Sequence, residues 1–138
     1  MGEGLGDALI KPITIYLDTH IVLWMAQGEL GRISSETVSL MENADLRVSP
    51  IVLLELQYLF EIGRTELQSR AIMLKVESEL NIRVCNFPFA LTANCAVDEN
   101  WTRDPFDRII VAHAKANGLS ILVPADEEIA EHYPRTAC

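Results

Sequence analysis

The fold of this chain is decided by residues 101–128, which read W101-TRDPFDRIIVAHAKANGLSILVPADE-E128. Asp104 and Pro105 are typical of the N-cap and first position of a helix, and the apolar run after them predicts a helix buried round most of its circumference. Gly118 is a typical helix end, and Leu119–Val123 is a short apolar run of the kind found in a strand covered on both faces. The stretch therefore predicts a helix, a helix end at Gly118 and a strand.

Two acids of this stretch fall at the ends of predicted elements. Asp107 is the third residue of the predicted helix, and Asp126 comes directly after the predicted strand. In a sheet with helices on both faces, strand ends and helix starts meet where ligands bind. Both carboxylates are thus expected at that edge of the sheet.

The rest of the chain alternates short β-rich runs with longer helical ones. Strands are predicted over residues 13–17, 46–49 and 82–85, and helices over residues 21–26, 34–43, 50–62, 66–80 and 87–100. This alternation predicts an α/β domain with a parallel sheet. A chain of 138 residues is expected to form one domain, and we interpret residues 1–12 as a loose extension and residues 13–138 as that domain.

Composition narrows the classes of function. The formal net charge of −9 argues against a protein that grips nucleic acid through a basic patch, and it suits one whose acids gather around a divalent cation. No apolar run approaches the roughly 20 residues of a membrane span, and residues 1–12 lack the cationic start and apolar core of a signal peptide. The three cysteines are an odd number and lack metal-ligand spacing, which indicates reduced thiols. We therefore expect a cytoplasmic protein with no membrane partner.

One acid is predicted at a position where burying its charge would cost free energy. Glu55 belongs to the helix predicted over residues 50–62, and its neighbours one turn before and after are Ile51 and Leu59, so it lies on an apolar face. A buried carboxylate without a partner protonates, pairs with a cation or binds a metal ion. The alternative to a metal site is a salt bridge to a distant arginine.

Four acids are therefore expected to converge: Asp18, which follows the first predicted strand, together with Glu55, Asp107 and Asp126. Four carboxylates at one place repel one another unless a cation neutralises them. Ligation by oxygen alone selects a hard ion, Mg²⁺ or Mn²⁺, and such a site suits phosphodiester hydrolysis. The sequence contains no G-x-x-x-x-G-K-[ST] loop, no G-x-G-x-x-G and no G-x-S-x-G, so it offers no support for nucleotide binding or serine chemistry of those kinds.

At these residues the sequence resembles the PIN-domain family, specifically the VapC-like toxins of bacterial toxin–antitoxin pairs. Four separated segments carry the resemblance in matching order and spacing: Y16-LDT-H20, S49-PIVLLELQ-Y58, R103-DPFDRIIVAH-A114 and L122-VPAD-E127. The resemblance implies a PIN fold, which is a central parallel sheet of four or five strands with helices on both faces. It also implies a Mg²⁺-dependent endoribonuclease that acts on RNA, forms a homodimer and is held inactive by a small antitoxin protein.

The resemblance also assigns residues. It gives the metal-site and catalytic role to the same four acids, and Thr19 and Ser49 match the family's supporting hydroxyl residues. For Asp104 we favour N-capping over metal ligation. Arg108 could contact substrate phosphate or antitoxin, or pair with Asp104 four residues back. Pro124 stands where members with the D-P-F-D-R block commonly have threonine, so the chain lacks a hydroxyl and a backbone N–H near the site.

Two other functions remain open at the level of sequence. Without the threonine at position 124, the chain could be a PIN-fold binding module that holds RNA or an antitoxin without cleaving. It could also be a metal-dependent phosphatase that acts on small phosphate esters, because metal chemistry is shared and substrate choice lies in the loops.

Overall fold

The structure is a computed structural model that describes residues 12–137. The predicted extension therefore lies outside the described residues apart from Pro12, and so does Cys138. Along the chain the described residues form β1 (Thr14–Leu17), α1 (Thr19–Ala26), a short 3-10 helix (Leu30–Arg32), α2 (Ser35–Glu42), β2 (Asp45–Val48), α3 (Ile51–Glu61), α4 (Ser69–Leu80), β3 (Arg83–Val84), α5 (Phe89–Ala96), α6 (Pro105–Ala116), β4 (Ile121–Val123) and α7 (Glu127–His132). Within residues 12–137, no helix combines the length and apolar character needed to cross a membrane.

The sheet has four parallel strands in the order β3-β2-β1-β4. In the central strand β1, the consecutive residues Ile15, Tyr16 and Leu17 are all fully buried. Because successive side chains of a strand point to opposite faces, the helices must cover the sheet on both sides. The predicted α/β fold with a parallel sheet of four or five strands is therefore confirmed, with four strands.

The pairing of β1 with β4 brings two loops to the same edge of the sheet. Leu17 is paired with Val123, and the ladder continues one step further because the Asp18 N–H donates to the Val123 carbonyl at 3.1 Å. The start of α1 and the turn from β4 to α7 therefore meet at the carboxyl ends of the two strands. Asp18 belongs to the first of these segments and Asp126 to the second.

The structure of helix α6 confirms the helix that was predicted from its sequence. Asp104 is the N-cap, since its carboxylate accepts from the backbone N–H groups of Phe106 at 2.9 Å and Asp107 at 3.4 Å. Residues 110–114 are all buried, so the middle of the helix is enclosed on every side. The helix leads into Gly118, which has φ of +73°, a conformation that suits glycine.

Several predicted boundaries were wrong, among them those of β4, α4 and α5. The strand after α6 begins at Ile121 and not at Leu119, because Leu119 adopts φ of +54° and projects into solvent. Helix α4 begins at Ser69 and not at residue 66, because the Ser69 hydroxyl donates to the Leu53 carbonyl of α3 at 2.5 Å and fixes the turn before it. Helix α5 ends at Ala96 and not at residue 100.

Candidate acidic metal centre

One cleft of about 480 Å³ lies at the carboxyl ends of β1 and β4. Its lining consists of Asp18, His20, Trp24, Glu55, Asp104, Asp107, Ala125, Asp126 and Glu127. Six of these nine residues are acids, and none is a lysine or an arginine. The four acids that the sequence singled out therefore all line the same cleft.

Asp18 is held in one orientation by two backbone donors. It is the N-cap of α1, and its Oδ1 accepts from the Thr19 N–H at 2.7 Å. Its Oδ2 accepts from the N–H of Ala125, in the turn after β4, at 3.0 Å. Burial raises the pKa of this carboxyl above its usual range. Because Ala125 supplies the N–H, the lack of an N–H at Pro124 does not deprive Asp18 of a donor.

Glu55 projects from α3 with only 8% of its surface exposed. The Thr19 hydroxyl donates to its Oε1 at 2.5 Å, and among residues 12–137 no lysine, arginine or histidine pairs with it. Burial and then the charge of Asp18 raise the pKa of Glu55 to about 7. The alternative of a salt bridge to a distant arginine is therefore wrong for the described part of the chain.

Asp107 lies in the first turn of α6 and faces the other acids. Burial raises the pKa of its carboxyl to about 8, with further contributions from the charges of Asp18, Asp104, Glu55 and Asp126, in that order. A helix N-terminus favours a negative charge, so its dipole works in the opposite direction. Burial, together with the crowding of the carboxylates, therefore outweighs the favourable position on the helix.

Two of the acids also cap helices. Asp104 caps α6, which matches the predicted preference for capping, and its carboxylate still lines the cleft. Asp126 is exposed and caps α7, because its Oδ1 accepts from the Glu128 N–H at 2.9 Å. Each side chain thus satisfies an N–H at a helix start and adds negative charge to the cleft.

Arg108 and Ser49 lie outside the lining of the cleft. The Arg108 guanidinium donates to the carbonyls of Ala96 at 3.3 Å and Val97 at 3.0 Å, so it closes the end of α5 and does not pair with Asp104 as one alternative proposed. Ser49 is buried before α3, where its hydroxyl is 2.7 Å from Nδ1 of the buried His113. Ser49 therefore fixes the approach to the helix that carries Glu55.

Sequence reasoning missed four residues of the lining: His20, Trp24, Ala125 and Glu127. A signal was present, because His20 and Trp24 are four residues apart on α1 and so share a helix face with each other. Trp24 also contacts Arg32, whose guanidinium lies 4.2 Å from the centre of the indole ring.

The donor set suits a hard divalent cation. Oxygen ligands from carboxylates are those that Mg²⁺ and Mn²⁺ favour, and a cation would offset the burial and the mutual repulsion that raise the pKa values of Glu55 and Asp107. As the side chains stand, however, no group of three or more His, Cys, Asp or Glu residues in the described chain is arranged to hold a metal ion. Both oxygens of Asp18 and one of Glu55 accept hydrogen bonds from the protein, and each of these oxygens keeps a second lone pair for a metal ion.

Comparison with known proteins gives the class of this chain. The PIN domain model matches residues 15–133, so the chain belongs to the PIN-domain family. It is 30% identical over 125 residues to Ribonuclease VapC22 of Mycobacterium tuberculosis, a match that covers 88% of this chain and 95% of that protein.

A solved structure shows the same fold. The structure of VapBC2 from Rickettsia felis, bound to a DNA fragment from their promoter, matches with a TM-score of 0.61 and 18% identity. The match covers 90% of this chain and 96% of that chain. The predicted PIN fold and the resemblance to VapC-like proteins are therefore confirmed.

Proposed function

We propose that this protein is a VapC-like toxin that acts as a divalent-metal-dependent endoribonuclease and hydrolyses RNA phosphodiester bonds at Asp18, Glu55, Asp107 and Asp126. One observation carries the proposal. Glu55 and Asp107, with pKa values of about 7 and 8, face a cleft whose lining has six acids and neither lysine nor arginine.

Such a cluster of carboxylates lowers the stability of the fold unless a bound cation neutralises it. Each buried or crowded carboxylate lowers the stability of the ionised folded protein, and a bound dication would recover that free energy. Perturbed carboxyl groups gathered in one cleft are typical of functional sites. Family membership and a relative that is named a ribonuclease favour RNA as the substrate.

The chain's own residues would prepare the site. The amides of Thr19 and Ala125 fix the Asp18 carboxylate, and the Thr19 hydroxyl fixes Glu55, so two acids on different elements keep their relative positions. A bound Mg²⁺ or Mn²⁺ would neutralise charge on the phosphoryl oxygens and activate water. Because a cation offsets the repulsion between the carboxylates, it would hold Glu55 and Asp107 in the ionised form that ligation requires.

The resemblance also supports two protein partners. A small antitoxin would hold the toxin inactive, and the structural neighbour is itself a VapBC2 assembly bound to DNA. A homodimer is supported by an apolar stripe on α3 and its C-cap, where Leu54, Tyr58 and Ile62 recur every four residues and are 58%, 48% and 47% exposed. Large exposed apolar side chains in a row indicate a surface that another chain covers.

The experiment uses three substrates, each with Mg²⁺ and with EDTA: single-stranded RNA, structured RNA and a chromogenic phosphate ester. We expect cleavage of RNA that EDTA abolishes, with little hydrolysis of the ester. Binding of RNA without cleavage in Mg²⁺ or Mn²⁺ would support a binding module, and preferred hydrolysis of the ester would support a phosphatase. Either result would overturn the proposal.

A further inference from the structure

Trp24 forms a wall between the acidic cleft and a second, smaller cavity. The second cavity has a volume of about 150 Å³, and Trp24 and Ala125 belong to the linings of both. Arg32 and Pro124 also belong to the lining of the second cavity. The indole is therefore a flat apolar surface that borders the site of the proposed chemistry.

The second cavity contains a positively charged side chain, which the acidic cleft lacks. Its lining includes one positively charged side chain, Arg32, whereas the lining of the cleft includes no lysine or arginine. The Arg32 guanidinium lies over the indole at 4.2 Å, and its side chain is 58% exposed. Its ion pair with Glu29, at 3.6 Å, is also on the surface and so holds it weakly.

This arrangement matches the needs of a single RNA strand at an acidic site. A protein with a net charge of −9 gains little from general attraction to phosphates, so contacts with bases become a larger share of its affinity for RNA. Aromatic rings and arginine planes are the surfaces on which unpaired bases stack, and a guanidinium keeps N–H donors free for phosphate oxygens.

We propose that the stacked pair of Trp24 and Arg32 binds one unpaired base of the RNA strand beside the phosphodiester that the acidic cleft cleaves. This inference rests on the proposed function for the identity of the strand. The competing explanation is structural: the pair would only brace α1 against the 3-10 helix that carries Arg32, as a cation–π contact does in many proteins.

The experiment uses the full chain with Ca²⁺ in place of Mg²⁺, so that binding can be measured separately from cleavage. The chain has two tryptophans, so Trp101→Phe leaves Trp24 as the sole tryptophan, whose fluorescence can be excited apart from that of the tyrosines. We expect a short single-stranded RNA to quench Trp24 fluorescence, and the same backbone without bases to quench it little. An equivalent DNA strand shows whether the site requires ribose.

Variants measured by anisotropy of labelled RNA give the second readout. Trp24→Leu should weaken binding about 10- to 100-fold, the usual effect of losing one base–aromatic stack, while Trp24→Phe should stay within about threefold. Arg32→Gln should also weaken binding. Arg83→Gln, on the edge strand β3 away from β4, makes the same change of charge and should leave binding unchanged.

The outcomes separate this inference from the proposed function. Base-dependent quenching in a protein that cleaves no RNA would sustain the base site and reject the nuclease. Cleavage of RNA by the wild type, with unchanged affinity in Trp24→Leu or quenching that does not depend on bases, would leave the nuclease and reject the base site. RNA that does not bind at all would reject both. If Trp24→Leu does not fold, the quenching measurement alone decides.

Discussion

The substitution Asp107→Asn distinguishes two roles of Asp107, because the two roles predict opposite changes in melting temperature. As a helix-start acid, Asp107 should stabilise the fold, and its removal should lower the melting temperature. As a member of a crowded metal site, it should destabilise the metal-free fold, and its removal should raise the melting temperature. Asparagine keeps the shape of the side chain and removes one charge.

The raised pKa of Asp107 and its position at a helix start give the size of each expected change in the free energy of unfolding. A rise in the pKa of one carboxyl from 3.8 to about 8 would reduce the free energy of unfolding at pH 7 by at most about 4 kcal/mol, at 1.36 kcal/mol per pKa unit. Because the carboxyl is partly open to water, screening reduces this to about 1–3 kcal/mol. Loss of the helix-dipole interaction offsets about 0.3–1 kcal/mol. We therefore expect the metal-free variant to be more stable by about 1–2 kcal/mol, or roughly 3–8 °C in melting temperature.

The sign of the pH dependence follows from the same shift. The pKa of Asp107 is about 8 in the folded protein and near 3.8 in the unfolded chain, so between these values the folded state holds the proton more firmly. Stability then falls as pH rises, because the unfolded chain releases its proton first. The difference in melting temperature between variant and wild type should accordingly be small near pH 4 and grow towards pH 8.

The assay is thermal unfolding across this pH range, with and without Mg²⁺, beside one RNA cleavage measurement. The variant should gain less stability from Mg²⁺ than the wild type and should lose cleavage. Glu36→Gln is the matched control, because Glu36 is an exposed acid in the first turn of α2 and does not line the cleft. Equal stabilisation of variant and wild type by Mg²⁺, or a lower melting temperature at every Mg²⁺ concentration, would refute the reasoning.

Three further changes test other contacts. Thr19→Val removes the hydrogen bond that lowers the pKa of Glu55, so binding of Mg²⁺ at pH 7 should weaken about tenfold in a calorimetric titration. Lys115→Met leaves the buried Glu99 carboxylate without its ion pair at 2.8 Å, and denaturant unfolding should show a loss of about 1–3 kcal/mol. Tyr58→Glu places a charge in the apolar stripe of α3, and sedimentation should show a monomer, whereas we expect a dimer for the wild type.

Each of these changes has a matched control. Thr19→Ser keeps a hydroxyl and should retain Mg²⁺ affinity, and a loss equal to that of Thr19→Val would discount the hydrogen bond. Lys75→Met alters an exposed lysine of α4 and should change stability little, so an equal loss would show that charge alone matters. Leu74→Glu alters an exposed leucine outside the stripe. If it dissociates the dimer as Tyr58→Glu does, or if the wild type is a monomer, the stripe is not the interface.

The sequence predicts elements whose signals are local. Helix α6 was correct because its N-cap, its proline and its apolar run lie within one continuous stretch. The start of α4 was wrong because Ser69 is tied to Leu53, sixteen residues earlier, and no local pattern reports that bond. The alternative that Arg108 pairs with Asp104 was wrong for the same reason, because its partners are the carbonyls at the end of another helix.

The residues of the candidate site also divide into those that local sequence signals predict and those that depend on contacts between distant parts of the chain. The four acids could be found because each stands at an element end or on an apolar helix face, and parallel topology brings such positions to one edge of the sheet. The contact of Trp24 with Arg32 could not be found, because it depends on how the loop after α1 turns back. The raised pKa of Asp107 likewise has spatial causes, since it comes first from burial in the fold and then from the charges of acids at four other positions along the chain.

The central claim is that the named carboxylates, and not the acidity of the cleft in general, support cleavage of RNA. Asp126 and Glu127 are adjacent, and both line the cleft, so Asp126→Asn and Glu127→Gln remove the same charge from nearly the same place. The most direct measurement is the rate of single-stranded RNA cleavage across a range of Mg²⁺ concentrations for both variants and the wild type. We predict that Asp126→Asn lowers the rate at least about 100-fold, a loss typical of removing electrostatic support at a catalytic centre, and that Glu127→Gln stays close to the wild type. Equal rates in the two variants would contradict the assignment of the site.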